Sequence, residues 1–377
     1  MSNNYLPKIR LLVALNSMNI GGIQKLVADQ LSYLNRDIFD IFLVVMMQYP
    51  DLKDFYGYLP KDITVYKLNF KNFLDFKEWF KLIKLLFKTK PQVVKTAMFF
   101  TNIIFRVLKP WFNYFLFTEE HNVYLSRNFF ERFFNRITSS LVTKILAVSN
   151  SVKDYLVKIE KIKADKVEVI YNGVDLEKYV FLNERRLVER KFYRLDKQFV
   201  ILSIGRVSIQ KNYQLLLEVA YEVNILRKEE IYFFVAGDNT NHLGEELKKQ
   251  LEVLGLAKFV YFLGVQKNIP DLLNLADAFL MTSLWEGFGL ALIEAMANGK
   301  PVVVNNIHTL KELLGENNEF GLVGKNKEEI VDFLIKLKND KDFYKKYQKQ
   351  SLARAQDFSL KKHLEKITGL LSSAVKN

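Results

Sequence analysis

Residues 277–283 form a short apolar run of strand length, 290–298 favour a helix that stops at Gly299 and Pro301, and 301–304 are apolar again at once. Strand, turn, helix and strand in such quick succession is the rhythm of a doubly wound α/β layer. Ligands of that architecture lie beyond the carboxyl ends of the strands, which is where this segment puts Glu286-Gly287-Phe288-Gly289. Gly287 and Gly289 permit backbone conformations and close approaches that a side chain would forbid, so the amides of residues 287–290, Leu290 included, can face a ligand. Those amides open a helix, and helix N-termini favour anions and hydroxyl oxygens. Glu294 lies about one turn further in, among apolar neighbours, where a carboxylate is costly to bury unless something such as a diol hydrogen-bonds to it. The plain alternative is a strand-turn-helix with an exposed carboxylate at either end.

The same alternation runs through the rest of the chain. Strands are expected at 8–15, 39–46, 63–68, 93–97, 114–118, 144–149 and 167–170, with an amphipathic helix over 23–34. A second series begins near 198, with strands at 198–204, 231–236 and 259–263 and helices at 244–254 and 270–276. Between the two series, Asn172-Gly173-Val174-Asp175 is a turn signal, and the charged stretch 176–196 reads as the connection. A chain of 377 residues, 49% hydrophobic, suffices for two α/β domains. The expected division is 1–175 and 176–360, with a C-terminal helix at about 361–377 packing back on the first.

Composition removes several chemistries. With no cysteine there is no disulfide, thiolate nucleophile or Cys-based metal site, and four His without a metal-binding spacing give no zinc pattern. No apolar stretch reaches the roughly 18 to 20 residues that span a bilayer, and the run 11–15 is too short for a signal-peptide core. A cytoplasmic protein is expected.

Three further clusters stand at strand ends. After the strand at 198–204 come Gly205-Arg206 and Gln210-Lys211-Asn212, where Arg supplies a planar fork and Lys a mobile charge, a pairing able to neutralise a pyrophosphate without metal. Taken alone, two basic residues there are equally a solvated loop. Gly21 and Gly22, between the first strand and first helix, would let backbone amides approach an anion. His121, in Glu119-Glu120-His121-Asn122, directly follows an apolar strand, although a single loop His is as readily solvated.

Taken in order, Gly21-Gly22, Glu120-His121-Asn122, Asn172 to Asp175, Gly205-Arg206 with Gln210 to Asn212, Ala236-Gly237-Asp238, Phe262-Leu263-Gly264, Glu286 to Glu294 and Pro301-Val302-Val303 resemble the large group-1 family of retaining GT-B glycosyltransferases. The likeness covers nearly the whole chain, most closely 198–325. It implies a GT-B fold, two Rossmann-like doubly wound domains facing a central cleft, with the nucleotide-sugar donor held mainly by the second domain and the acceptor by the first. By that resemblance Glu294 holds the ribose hydroxyls, and Glu286 with the amides from Gly287 through Phe288 and Gly289 to Leu290 holds the sugar ring and orients the diphosphate. Arg206 and Lys211 stabilise the departing nucleoside diphosphate in place of a metal, so no cofactor or metal is expected. Gly22, beside Gly21, brings amides to the phosphates, His121 contacts the transferred sugar, and Gly264 and Val265 border the base. Retention of configuration is implied by resemblance alone. Where the family often has small residues before the Glu matching Glu312, this chain has His308-Thr309-Leu310-Lys311, so no particular sugar is transferred to it.

Charge bears on the acceptor. Residues 67–144 carry fourteen Lys and Arg against five Asp and Glu, a net +9 of the whole chain's +13, amid many Phe and Trp. Over 75–88 a helix would align Lys77, Lys81, Lys84 and Lys88 beside Phe76, Trp79, Phe80, Ile83 and Phe87. Such a face suits an anionic membrane surface, or equally covers the sheet with solvated Lys outward. No nucleic-acid module is visible, so nucleic acid is not expected as a partner. The expected partners are thus a nucleotide-sugar donor, a glycan or lipid-linked (polyprenyl-diphosphate) acceptor and an anionic membrane surface at the inner face of the cytoplasmic membrane. Transfer to a soluble protein or small molecule, and a catalytically silent GT-B scaffold, stay open as alternatives. An epimerase on this fold would need acid/base carboxylates in motifs that are not found.

Overall fold

The computed structural model describes residues 7–376 except 20, 51–53, 124–126 and 316. Ile20, next to the Gly pair in sequence, and Asn377, at the end of the expected last helix, lie outside the described residues. The chain divides into two compact units, one running to Gly173 and resuming at Leu360, the other Val174–Ser359.

The first unit runs β1 (Ile9–Leu15), α1 (Gly22–Tyr33), β2 (Phe39–Val45), β3 (Thr64–Lys67), α2 (Phe76–Thr89), β4 (Val93–Ala97), α3 (Phe99–Leu108), β5 (Phe115–Glu120), α4 (Phe129–Thr138), β6 (Lys144–Ala147), α5 (Asn150–Asp154) and β7 (Val167–Val169). Its seven strands are parallel in the order β3-β2-β1-β4-β5-β6-β7. A central parallel strand is covered on both faces, which is why β1 reads as continuous Leu and Val rather than alternating. Leu11, Val13 and Leu15 of β1 share a core with Val27 and Leu31 of α1.

The second unit runs α6 (Asn183–Phe192), β8 (Phe199–Ile204), α7 (Tyr213–Tyr221), β9 (Ile231–Ala236), α8 (His242–Val253), β10 (Val260–Gly264), α9 (Ile269–Leu275), β11 (Ala278–Met281), α10 (Leu290–Ala297), β12 (Val302–Asn305), α11 (His308–Leu314), β13 (Leu322–Gly324), α12 (Lys327–Asn339) and α13 (Lys341–Ala355). Its six parallel strands lie in the order β10-β9-β8-β11-β12-β13. Chain order reverses between β1 and β4 in one sheet and between β8 and β11 in the other, and at such switch points the loops beyond the strands diverge and leave a crevice.

Two segments tie back. The last helix, α14 (Leu360–Lys376), belongs to the first unit, where Ile367 and Leu371 enter the core of β1 and α1. The stretch read from sequence as a connection is instead largely integral to the second unit. Arg186 of α6 donates to the carbonyls of Asn274, Leu275 and Ala276 and pairs with Asp277 at 2.6 Å, closing the carboxyl-terminal carbonyls of α9.

Candidate active site

In the second unit the loops after β8 and β11 meet around Glu286, which is buried. Lys211 Nζ lies 2.6 Å from Glu286 Oε1, Ser283 Oγ donates to the same oxygen at 2.7 Å, and Gln210 Nε2 donates to Oε2 at 3.3 Å. Backbone bonds hold this crossing: Leu284 N donates to Gln210 O at 2.8 Å, and Thr282 Oγ1 to Lys211 O at 2.8 Å. Thr309 Oγ1 of α11 donates to the carbonyl of Glu286 at 2.7 Å, so the residue that fills the turn where the family is often small braces the candidate carboxylate.

The glycines beside this cluster have a steric reason. Gly237 at the end of β9 has φ +155°, and a Cβ there would stand 2.1 Å from the carbonyl oxygen of Gly205. A Cβ on Gly205 itself, φ +152°, would meet the stem of Lys211 at 2.7 Å. Only bare backbone lets β8 and β9 end this close together with Lys211 lying across them. Gly237 N donates to Gly264 O at 2.9 Å, which brings the end of β10 to the same rim, with Val265 exposed just beyond. Arg206 is exposed on this rim, and its charge, after two hydrogen bonds from Thr240, contributes to holding the Asp238 carboxyl below its usual range.

Gly289, φ +108°, caps α10 in a conformation that favours glycine and starts the helix at Leu290. Phe288 is buried with its ring 5.6 Å from that of Phe358. Glu294 is buried too, and Tyr179 Oη donates to its Oε1 at 2.6 Å, while Asn298 Nδ2 donates to Tyr179 O at 2.8 Å. Sequence gave no sign of Tyr179, because the turn carrying it reads only as charged and helix-prone.

In the first unit Gly21 caps α1 in extended conformation, so α1 begins at Gly22 beyond β1. Beyond β5, His121 is buried. Its Nε2 lies 3.2 Å from Glu119 Oε2, and its Nδ1 is a buried atom without a hydrogen-bond partner. Glu119 Oε1 pairs at 2.8 Å with Lys95 Nζ of β4, which donates at 2.8 Å to Gln30 Oε1 of α1. Gln30 Nε2 donates to His363 Nε2 of α14 at 2.8 Å, and His363 Nδ1 reaches Tyr171 O at 2.7 Å. The directions in this chain are determined: Gln30 offers its N–H to His363 Nε2, so the His363 proton sits on Nδ1 and goes to the carbonyl. His363 is therefore neutral, and burial pushes its pKa down to about 4. At the other end the ionised Glu119 carboxylate can only accept, so His121 carries a proton on Nε2 and its Nδ1 is the atom left to meet another partner.

The Glu119 carboxyl is held well below the usual range, because Lys95 and then His121 together outweigh a burial that opposes ionisation. A second buried network adjoins it. Glu120 pairs with Arg127 at 2.8 Å, Arg127 with Glu160 at 2.7 Å, and Asn135 of α4 bridges Glu160 to the buried Arg106. Lys95 was not picked out from sequence, and Glu119 and Glu120 were noted only as part of the polar cluster around His121, though a charge inside an apolar parallel strand such as Val93-Val94-Lys95-Thr96-Ala97 is itself a signal, since it must be paired to be buried.

These strand-end clusters agree with what the chain resembles. The family described as Glycosyl transferases group 1 matches residues 185–354, and Glycosyltransferase Family 4 matches 20–178. The chain belongs to the group-1, family 4-like glycosyltransferases. It is 28% identical over 340 residues to the UDP-Gal:alpha-D-GlcNAc-diphosphoundecaprenol alpha-1,3-galactosyltransferase of Escherichia coli, covering 85% of this chain and 86% of that protein. It is 35% identical over 161 residues, 41% of this chain and 45% of the other, to the lipopolysaccharide core biosynthesis mannosyltransferase LpsB of Rhizobium meliloti. Among solved structures, Anabaena Alr3699/HepE in complex with UDP and glucose superposes with a TM-score of 0.84 at 21% identity, over 97% of this chain and all of that one. A glycosyltransferase from Rickettsia africae does so with 0.85 at 24%, over 99% of this chain and 100% of that one. The fold of this glycosyltransferase is thus GT-B, built from two Rossmann-like units.

Proposed function

We propose that this glycosyltransferase moves a sugar from a nucleoside-diphosphate sugar to a glycan carried on a polyprenyl diphosphate, with retention and without metal. The reaction would take place at the inner face of the cytoplasmic membrane, in bacterial surface polysaccharide or glycoconjugate assembly. The observation that carries the donor half is the Lys211–Glu286 pair on the Gly205–Gly237 rim at the switch point of the second sheet. A departing diphosphate gains negative charge, and Arg206 on the rim with Lys211 beneath it supplies two cations to meet that charge. Glu286 takes three hydrogen bonds on about four lone-pair sites, two on Oε1 and one on Oε2, so it keeps room on Oε2 for a sugar hydroxyl. Glu294, oriented by Tyr179, suits a ribose diol, and Gly264 with Val265 suits contact with a base through backbone.

His121 supplies the complementary half of recognition, because its buried, unpartnered Nδ1 suits a hydrogen bond with a sugar hydroxyl, which can donate or accept. The lipid-linked acceptor is supported by the E. coli relative named for a diphosphoundecaprenol substrate and by the basic, aromatic surface of the first unit. No helix among the described residues is long and apolar enough to cross a membrane, so attachment would be peripheral.

The test is a panel of nucleotide sugars with polyprenyl-diphosphate-linked and soluble acceptors, followed by nucleoside diphosphate release and the anomeric signal of the product. Release that requires the lipid-linked acceptor, an unchanged anomer and full activity in chelator are expected. Turnover with soluble acceptors alone, or nucleotide binding without turnover across the panel, refutes the reading.

A further inference from the structure

Helix α4 is amphipathic in the reverse sense from an ordinary surface helix. Its sequence, Phe-Phe-Glu-Arg-Phe-Phe-Asn-Arg-Ile-Thr, puts Phe129, Phe130, Phe133, Phe134 and Ile137 on one side of the helix. A helix packed on a sheet normally turns that side inward. Here the four Phe are 75%, 69%, 47% and 50% exposed, Ile137 is exposed as well, and the one buried residue of the helix is Asn135. The inversion has a cause: Asn135 is drawn in to bridge Arg106 and Glu160, so the polar side of α4 is fixed against the protein. Phe129 and Phe133 stack at 6.3 Å, and the rings of Phe133 and Phe134 meet edge to face at 6.0 Å. Contiguous exposed apolar surface of this kind marks a site of interaction.

The surface continues beyond α4. Leu141, just after the helix, lines one depression with Lys109, Trp111 and Phe112, and Phe112 lies 5.1 Å from Phe87 at the end of α2. Trp111 is exposed, as are Phe76, Phe80 and Phe87 of α2. Of the charges in residues 67–144, the cations Lys95, Arg106 and Arg127 are buried, and so are Glu78, Glu119 and Glu120. The outer surface of this region therefore carries eleven cations against only Asp75 and Glu131. A second copy of the chain would bring like charge to like charge. An anionic bilayer meets both features, accepting rings at the depth of its headgroups and acyl boundary and Lys and Arg at its phosphates.

We propose that α4 is the element of the first unit that inserts into an anionic lipid surface, its Phe face entering the headgroup region while Arg136, Lys109 and the Lys side chains of α2 engage lipid phosphates. The proposal rests on the reading that the acceptor is lipid-borne, and it adds the place of contact. Arg127, two residues before α4, pairs with Glu120, the residue before His121, so the inserting helix is tied to the residue offered to the sugar. The lysine stripe of α2 alone would give adsorption, whereas the α4 face gives penetration.

The chain has no cysteine, so Phe133→Cys carries a single environment-sensitive fluorophore, with Lys248→Cys on the exposed face of α8 as the control. With vesicles of phosphatidylcholine and phosphatidylglycerol at 7:3 in low salt, the label at 133 is expected to brighten and shift to the blue, and the label at 248 to stay unchanged. Phe130→Ser/Phe133→Ser/Phe134→Ser is expected to reduce vesicle flotation at least tenfold, and pure phosphatidylcholine to bind weakly. No spectral change at 133, equal flotation of the triple variant, or a wild-type dimer that the triple variant dissolves overturns the proposal. Donor hydrolysis in the absence of vesicles reads the second-unit site separately. Retained hydrolysis with lost flotation supports the proposal, and absent hydrolysis in wild type counts against the functional reading and leaves the fluorescence result to decide the insertion.

Discussion

Neutralising Glu119 should unfasten the first unit from inside. Its carboxylate and the Lys95 ammonium are 2.8 Å apart on neighbouring strands, with side chains only 4% and 2% exposed, so neither charge has water to fall back on. Removing one partner of a buried pair costs about 3–5 kcal/mol, because the other charge is left uncompensated, whereas removing both together is far cheaper. Glu119→Gln should therefore lose about 3–5 kcal/mol, Lys95→Met a similar amount, and the double variant should regain at least about 2 kcal/mol over the sum. The assay is urea unfolding followed by emission of Trp79 and Trp111, both in the first unit, with Trp285→Phe silencing the tryptophan of the second. The pH dependence gives an independent check with a definite sign. A carboxyl whose folded pKa is depressed contributes stability that is complete above the ordinary carboxylate range and is lost as pH falls toward the depressed folded value. Wild type should thus lose stability steeply below about pH 4 through this group, and Glu119→Gln should lack that component. A loss under about 1 kcal/mol for Glu119→Gln, or strict additivity of the two changes, refutes the account of Glu119 and Lys95 as one mutually dependent buried pair.

Lys211→Ala should lower turnover by about 2.7–4 kcal/mol of barrier, and its combination with Glu286→Ala should cost less than the sum because each holds the other; additive losses in steady-state kinetics count against the shared cluster. Tyr179→Phe removes one hydrogen bond to a carboxylate, so affinity for the donor's nucleoside diphosphate should fall about tenfold by calorimetry with turnover at saturation little changed; an unchanged Kd separates Glu294 from nucleotide binding. Burial, followed by the charge of Arg186, pushes the Lys300 pKa down to about 7, so from about pH 7 to 10.4 the unfolded chain binds more protons and the second unit should become more stable as pH rises. Lys300→Met should abolish that slope in pH-resolved denaturation, and a slope that persists assigns it to another group.

The second-unit site was legible because it is local. Glu286, the glycines on either side of Phe288, and Glu294 belong to one stretch, and the turn after β8 contributes Arg206 and Lys211 within a few residues. Strand ends and helix starts are readable from apolar runs and glycine, and the alternation of β8 to β13 with helices follows them closely. What escaped was whatever chain proximity does not carry. Tyr179 reaches Glu294 across 115 residues, and Gln30 reaches His363 across 333, so no local pattern could join them. The stretch 176–196 reads as a connection because its charges look solvated, yet Arg186 and Arg190 point inward to carbonyls and Asp277. Helix α4 escaped for the opposite reason. Its period is clear, but periodicity gives the two sides and not which one faces the protein, and here the buried Asn135 reverses the usual choice.

The return of α14 to the first unit has a chemical side as well as a packing one. Ile367 and Leu371 explain why the helix stays, yet a helix held by apolar contact alone would not need to bury an imidazole. His363 is buried because it ends a directed chain: it donates to Tyr171 O and accepts from Gln30, which leaves the Gln30 carbonyl facing Lys95, which in turn fixes Glu119 and through it the proton on His121 Nε2. Each member has one role open to it. A protonated His363 could not accept from Gln30, a flipped Gln30 would set N–H against ammonium, and an uncharged Glu119 would release the ring. The orientation of His121 is therefore determined from four elements at once, α14, α1, β4 and β5, and its Nδ1 is kept buried without a hydrogen-bond partner. A residue meant only to fill space beyond β5 would not be specified from so far away.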